Sequence, residues 1–282
     1  MPKLASALET LVTGHALIEG PRVDADDRLY FSDVRRGGVY RRKPDGEIEV
    51  VVPKRRGVGG IALHTAGGIV VSGRNVCHVR NGSSRVVFAP DDVPSFNDLF
   101  VDSEGRILVG SQRFDPFDRS AGAPPGELYR VDAEGRGTKL YGDVGLTNGI
   151  GLSPDGSRLY HCDTDRNEVL AHDFTAEGGV ANRSVFAKLP RGDPDGLAVD
   201  EAGYVWVAAF GGGCVTRFTP HGEVDGHLEV PARYVASLCF GGADRRDLYV
   251  VTGDNLEDAS LRGSIFRTRV EVPGLAVPLA RV

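Results

Sequence analysis

A turn-forming stretch that runs into a short apolar strand occurs six times in the 282 residues of this chain, and self-similarity at a fixed period decides architecture before any single motif does. The copies are Asp26-Asp27-Arg28-Leu29-Tyr30-Phe31, Ala66-Gly67-Gly68-Ile69-Val70-Val71 and Glu104-Gly105-Arg106-Ile107-Leu108-Val109, then Asp155-Gly156-Ser157-Arg158-Leu159-Tyr160, Ala202-Gly203-Tyr204-Val205-Trp206-Val207 and Arg245-Arg246-Asp247-Leu248-Tyr249-Val250. With Leu29, Ile69, Ile107, Leu159, Val205 and Leu248 as markers, the intervals are 40, 38, 52, 46 and 43 residues. Each marker strand leads through a turn to a third strand, such as Val76-Cys77-His78-Val79 or Cys214-Val215-Thr216-Arg217, and in most units to a fourth. Pro44-Asp45-Gly46 and Pro220-His221-Gly222 supply turn chemistry between the last two, Pro presetting φ and Gly accepting φ above zero.

Four antiparallel strands in such a unit describe a propeller blade. The expectation is an all-β, six-bladed β-propeller occupying residues 1–282 as one domain. Long helices are excluded because apolar residues fall in short runs between the 38 Gly and 16 Pro, with no 3.6-residue period. The sixth unit lacks a clear fourth strand, whereas Ala7-Leu8-Glu9-Thr10-Leu11-Val12 reads as an outermost strand ahead of the first unit. It is expected to close the ring and leave no exposed edge. The long third interval holds an insertion, Arg113 to Pro125, expected as a loop over one face of the disc.

With 33 Lys plus Arg against 39 Asp plus Glu, the net charge of −6 argues against nucleic acid or an anionic membrane as partner. The chain start has no basic segment followed by a long apolar run, and no stretch approaches the length of a membrane span. Cys77, Cys162, Cys214 and Cys239 form no Cys-x-x-Cys pair and read as reduced, buried thiols of a cytoplasmic protein.

In a ring of blades, one repeat position near the start of every innermost strand converges on the axis. Ten or eleven residues before the markers stand Glu19, Gly59, Asn97, Asn148, Asp195 and Ser237. Two carboxylates and two amides offer hard oxygen ligands with two negative charges and no thiolate or imidazole. Calcium suits that set best, with Zn2+ or Mn2+ as alternatives. Asn97-Asp98, Asn148-Gly149 and Asp195-Gly196 also serve as plain turns at strand starts, and spacing alone leaves both readings open.

Glu19-Gly20-Pro21, Phe96-Asn97-Asp98, the run from Asn148-Gly149-Ile150 to Asp155-Gly156, and Pro194-Asp195-Gly196-Leu197-Ala198-Val199-Asp200 resemble words of the senescence marker protein/gluconolactonase/luciferin-regenerating-enzyme family. So do Val205-Trp206-Val207-Ala208 with Gly211-Gly212-Gly213, and Phe240-Gly241-Gly242 before Leu248-Tyr249-Val250-Val251-Thr252. The resemblance covers roughly residues 15–270 and implies a propeller with one axial divalent cation and hydrolysis of a small-molecule lactone. It implies Glu19, Asn148 and Asp195 as metal ligands, and Asn97 beside the metal or the substrate. Val23 stands where the family usually has Trp, Leu99 where it has Gly, and Ser95 where sugar-lactone members often carry Arg. Ser95 lacks that fork, so Arg113 is the candidate substitute cation. Phe96, Phe114, Phe117 and Phe210 favour a less polar lactone or ester. The candidate substrate-binding set is therefore Asn97, Ser95, Arg113 and Phe114.

The expected mechanism has the cation polarise the carbonyl while Asp195, as base, helps a water attack; Asp98, Asp163 and Glu127 are reserves for that role. A phosphotriesterase on the same site, and a non-catalytic propeller interaction module with a structural metal, are the competing readings. No Gly-x-Ser-x-Gly elbow, His-Glu-x-x-His helix or phosphate loop is present. His78, His161 and His172 read as core or blade-surface residues. The runs Arg35-Arg36, Arg41-Arg42-Lys43 and Lys54-Arg55-Arg56 read as solvated turns.

Overall fold

The computed structural model describes residues 4–5, 7–118, 124–255 and 258–282. They form six four-stranded antiparallel sheets, joined by turns and one short 3-10 turn at Ala259–Leu261. The innermost strands are Ile18–Val23, Ile61–Leu63, Ser95–Val101, Thr147–Leu152, Asp193–Val199 and Val235–Gly241. Each packs against the inner strand of the next blade, and the sixth packs against the first, so the sheets make a closed six-bladed propeller. The marker residues all begin or nearly begin the second strand of a blade.

Ring closure is as the sequence indicates. Glu9–Val12 is the outermost strand of blade six, pairing Glu9 with Arg267 and Thr10 with Phe266. The Arg267 guanidinium adds two hydrogen bonds to Glu9, at 3.1 and 2.6 Å.

The repeated turn words fold onto themselves. The Asp102 carboxylate accepts from the N–H groups of Glu104 and Arg106, both at 3.0 Å, and from Arg106 Nε at 2.6 Å. Asp200 does the same for Ala202 and Tyr204 and also takes Trp206 Nε1 at 2.9 Å, which satisfies the one polar atom of a fully buried indole. Between neighbouring blades the apolar strand residues form layers, such as Trp206, Val215 and Ala208 with Leu238, Leu248 and Phe266. Burial of such side chains is worth ~2 kcal/mol each and holds the blades at fixed angles. The four cysteines are free and buried. His161 and His172 of blade four pack against the Tyr141 ring of blade three, and burial pushes them down to about 3 and about 4, so both are neutral core residues. Among the described residues no helix is long and apolar enough to cross a membrane.

Candidate metal centre

The dipeptides that the sequence leaves open between turn and site lie within strands, and each stands where a strand is irregular. On Ser95–Val101 the register passes from Phe96 opposite Ser111 to Leu99 opposite Val109, so Asn97 and Asp98 together face one partner residue. Asn148-Gly149 and Asp195-Gly196 occupy the same two-against-one places in blades four and five. In blade one the doubled pair is Gly20-Pro21, directly after Glu19. A bulge bends the strand and re-aims its side chain. Repeated around the ring, it turns Glu19, Asn97, Asn148 and Asp195 into one cavity, which all four line.

These side chains are tied across blades. Asn97 Nδ2 donates to Thr147 O at 2.8 Å and to Asn148 Oδ1 at 2.7 Å. Asn148 Nδ2 donates to Thr164 Oγ1 at 2.8 Å, and the Thr164 hydroxyl donates to Pro194 O at 2.7 Å, one residue before Asp195. One chain of hydrogen bonds therefore sets the tilt of both amides and reaches the strand that carries the carboxylate. Blade two contributes a space instead of a donor: a Cβ on Gly59 would lie 2.1 Å from Asn97 Oδ1. Blade six contributes Ser237, buried beneath Gly196, where a Cβ would lie 2.2 Å from the Ser237 hydroxyl.

Burial pushes the Glu19 carboxyl well above the usual range, and the charges of Asp195 and Asp98 push it further. Asp195 rises for the same reasons, burial first and then Asp98. Asp98, buried beside them, rises to about 6 through burial, with Arg22 pulling the other way. Three carboxylates that oppose one another's ionisation define a place where a cation is favoured, and a bound ion would invert these shifts. Among the described residues no three His, Cys, Asp or Glu side chains are grouped to hold an ion by themselves. The donor set that fits is mixed: the carboxylates of Glu19 and Asp195 with the amides of Asn148 and Asn97.

The cavity has a volume of about 1310 Å³ and opens to solvent on the face where the inner strands begin. Ser95, Arg113 and Phe114 all line it. The Ser95 hydroxyl donates to Gln112 O at 2.9 Å. Arg113 is engaged within the protein: its Nε donates to Glu127 at 3.0 and 2.9 Å, its Nη2 to Glu127 at 2.8 Å, and its Nη1 to Asp92 O at 2.5 Å. Phe117 and Phe210 line the cavity, whereas Phe96 is fully buried in the layer around Leu99 and Val109. Of the reserve bases, Glu127 is bound to Arg113 and Lys139, and Asp163 is bound to Arg166 Nη1 at 3.0 Å and Gly145 N–H at 3.0 Å. Only Asp98 remains near the floor. The part of the insertion at 119–123 lies outside the described residues.

Apart from Phe210, sequence reasoning missed this ring of the cavity wall. Five residues past the markers stand Val34, Arg74, Gln112, Thr164, Phe210 and Gly253, and all six line the cavity. Counting forward as well as back along the repeat finds them. The arginine runs are not merely solvated turns. Arg35 and Arg56 line the cavity, Arg36 donates to Gly14 O at 2.6 Å, and Arg41 is ion-paired with Glu49.

Residues 17–254 match the model of the SMP-30/Gluconolactonase/LRE-like region. A 6-deoxy-6-sulfogluconolactonase from Pseudomonas putida is 34% identical over 268 residues, covering 89% of this chain and 90% of its own. Pentonolactonase XacC from Haloferax volcanii is 32% identical over 282 residues, covering 93% and 94%. The crystal structure of regucalcin, a calcium-binding protein from Agrobacterium tumefaciens, superposes with a TM-score of 0.86 at 25% identity and covers 98% of both chains. With most of its length matched by that model and relatives above 30% identity along the whole ring, the chain belongs to the SMP-30/gluconolactonase/LRE-like family.

Proposed function

We propose that the protein is a divalent-metal-dependent lactonase, a carboxylic-ester hydrolase that opens a sugar lactone. The observation that carries this reading is the placement of Glu19, Asn97, Asn148 and Asp195 around one cavity, with both carboxylates raised by burial and by neighbouring negative charge. Oxygen donors alone suit a hard cation, calcium first, and a solved relative is described as calcium-binding. Glu19, Asn148 and Asp195 would hold the ion, with Asn97 beside it. Bound there, a divalent ion would polarise the lactone carbonyl and stabilise the charge that develops on its oxygen.

Asp195 takes the proton of the attacking water and returns it to the ring oxygen as the carbon–oxygen bond breaks. Water is thereby added across the ester and no other reactant is consumed. Asn97, fixed through its Nδ2, positions the substrate on the side of blade three. Relatives named for 6-deoxy-6-sulfogluconolactone and pentonolactone favour a sugar lactone over the less polar ester suggested by the phenylalanines.

The direct test is acid release from sugar lactones at constant pH before and after chelation. Turnover is expected to fall at least ~100-fold and to return with calcium, zinc or manganese; no turnover with any of these ions would refute the reading. A finer expectation concerns Gly59. In Gly59→Ala the new methyl displaces Asn97 and breaks its bonds to Thr147 and Asn148, so kcat/KM should fall about tenfold or more. An unchanged kcat/KM would show that the placement of Asn97 is irrelevant.

A further inference from the structure

One wall of the cavity carries charge that opening a lactone does not use. Five or six residues past the markers, blades one, two and three present Arg35, Arg74 and Arg113, whereas blades four and six present Asp165 and Asp254. Arg56, on the linker between blades one and two, joins the cationic side. Arg113 is spent on Glu127 and Asp92, and Asp254 is ion-paired with Arg262 at 2.9 Å. Arg35, Arg56 and Arg74 are exposed, and among the described residues none of the three has an ion-pair partner. Arg35 lies over the Phe117 ring, 4.2 Å from its centre.

The loops that carry these three arginines are fastened together. Gly38 N–H donates to Arg55 O at 2.8 Å, and Gly57 N–H donates to Val34 O at 3.0 Å. Arg55 itself donates to Ser72 O at 3.2 and 3.0 Å, to Asn75 O at 2.7 Å and to Asn75 Oδ1 at 2.8 Å. One arginine of the linker is thus consumed in binding it to the loop of blade two, which holds Arg56 and Arg74 on adjacent, preformed supports. Arg35, Arg56 and Arg74 together make this side of the rim cationic, so an anion is attracted to it.

Building on the lactonase reading, we infer that the natural substrate carries a second, anionic group at the end remote from the lactone carbonyl, and that Arg35, Arg56 and Arg74 receive it. Guanidinium forks match the oxygens of sulfonate, phosphate and carboxylate through charge-assisted hydrogen bonds. A neutral lactone leaves these cations facing water. An anionic one is held at the rim with its carbonyl directed to the floor, so the same field that binds it also orients it.

The test compares gluconolactone with derivatives bearing phosphate, sulfonate or carboxylate at carbon 6, using the wild type and the Arg56→Gln and Arg74→Gln variants. At least one anionic derivative should exceed the neutral lactone in kcat/KM by about tenfold or more, mainly through KM, and the three derivatives identify the preferred anion. Each variant should cut the anionic-to-neutral ratio at least about threefold, with partial recovery in Arg74→Lys. Equal kcat/KM for neutral and anionic lactones, or variants that lower both alike, would overturn the inference while leaving the lactonase reading intact. Binding of glucitol 6-phosphate and glucitol by calorimetry gives a readout independent of turnover. If no lactone is opened, the lactonase reading fails, and equal binding of the two alcohols would overturn the anion site on its own.

Discussion

Asp195→Asn is expected to lower kcat for lactone opening ~10³-fold or more, the upper part of the range for loss of a positioned base. The substitution keeps the shape of the side chain and its place in the Asp195-Gly196 bulge, so the effect reports chemistry and not collapse of the strand. A second measurement separates the two. The native carboxyl is buried and opposed by Asp98, which raises it above its unfolded value. A carboxyl raised on folding contributes stability that is complete below its unfolded value near 4 and is lost as pH rises through the folded one. Asparagine imitates the neutral form. Metal-free Asp195→Asn should therefore melt no lower than the metal-free wild type at neutral pH, with the difference shrinking towards pH 4. Retention of full kcat would remove Asp195 from the mechanism.

Glu19→Gln is expected to weaken calcium binding by ~100-fold or more, since losing a charged ligand should cost at least as much as losing an outer partner of a metal site. The variant keeps an oxygen at the same position and removes one of two ligand charges. Calorimetric titration measures the affinity directly. The rise in melting temperature on adding calcium supplies a second reading, because a ligand that binds only the folded state stabilises it according to its concentration over its Kd. Both responses should be lost together. Unaltered calcium affinity would place the ion elsewhere.

The ring was legible because six turn-and-strand words recur at a spacing that only a blade satisfies, and the closing strand was legible because the sixth unit is one strand short while an extra one precedes the first. The convergence of Glu19, Asn97, Asn148 and Asp195 on one cavity was legible for the same reason, since a repeat position becomes a place in space once the ring is assumed. The bulges were not: two residues facing one is a matter of pairing between strands, and Asn97-Asp98 looks like a turn until its partner Gly110 is known. The tie between Arg113 and Glu127 was hidden for a similar reason, as two residues fourteen apart in sequence become neighbours only when the strands Ile107–Gln112 and Gly126–Val131 pair. Asp98 shows the reverse case, a residue visible next to Asn97 whose burial, and hence raised pKa, no sequence pattern reveals.

Glu19 follows the strand Glu9–Val12 by a few residues, and that strand is what fixes blade one to blade six. Asp195, on the same cavity, belongs to blade five. An ion held by both, as proposed, would act as a rivet across the hoop: springing the circle open at its join would forfeit the ion's binding free energy along with the strand's own hydrogen bonds. Mechanical endurance and chemistry would then share one atom.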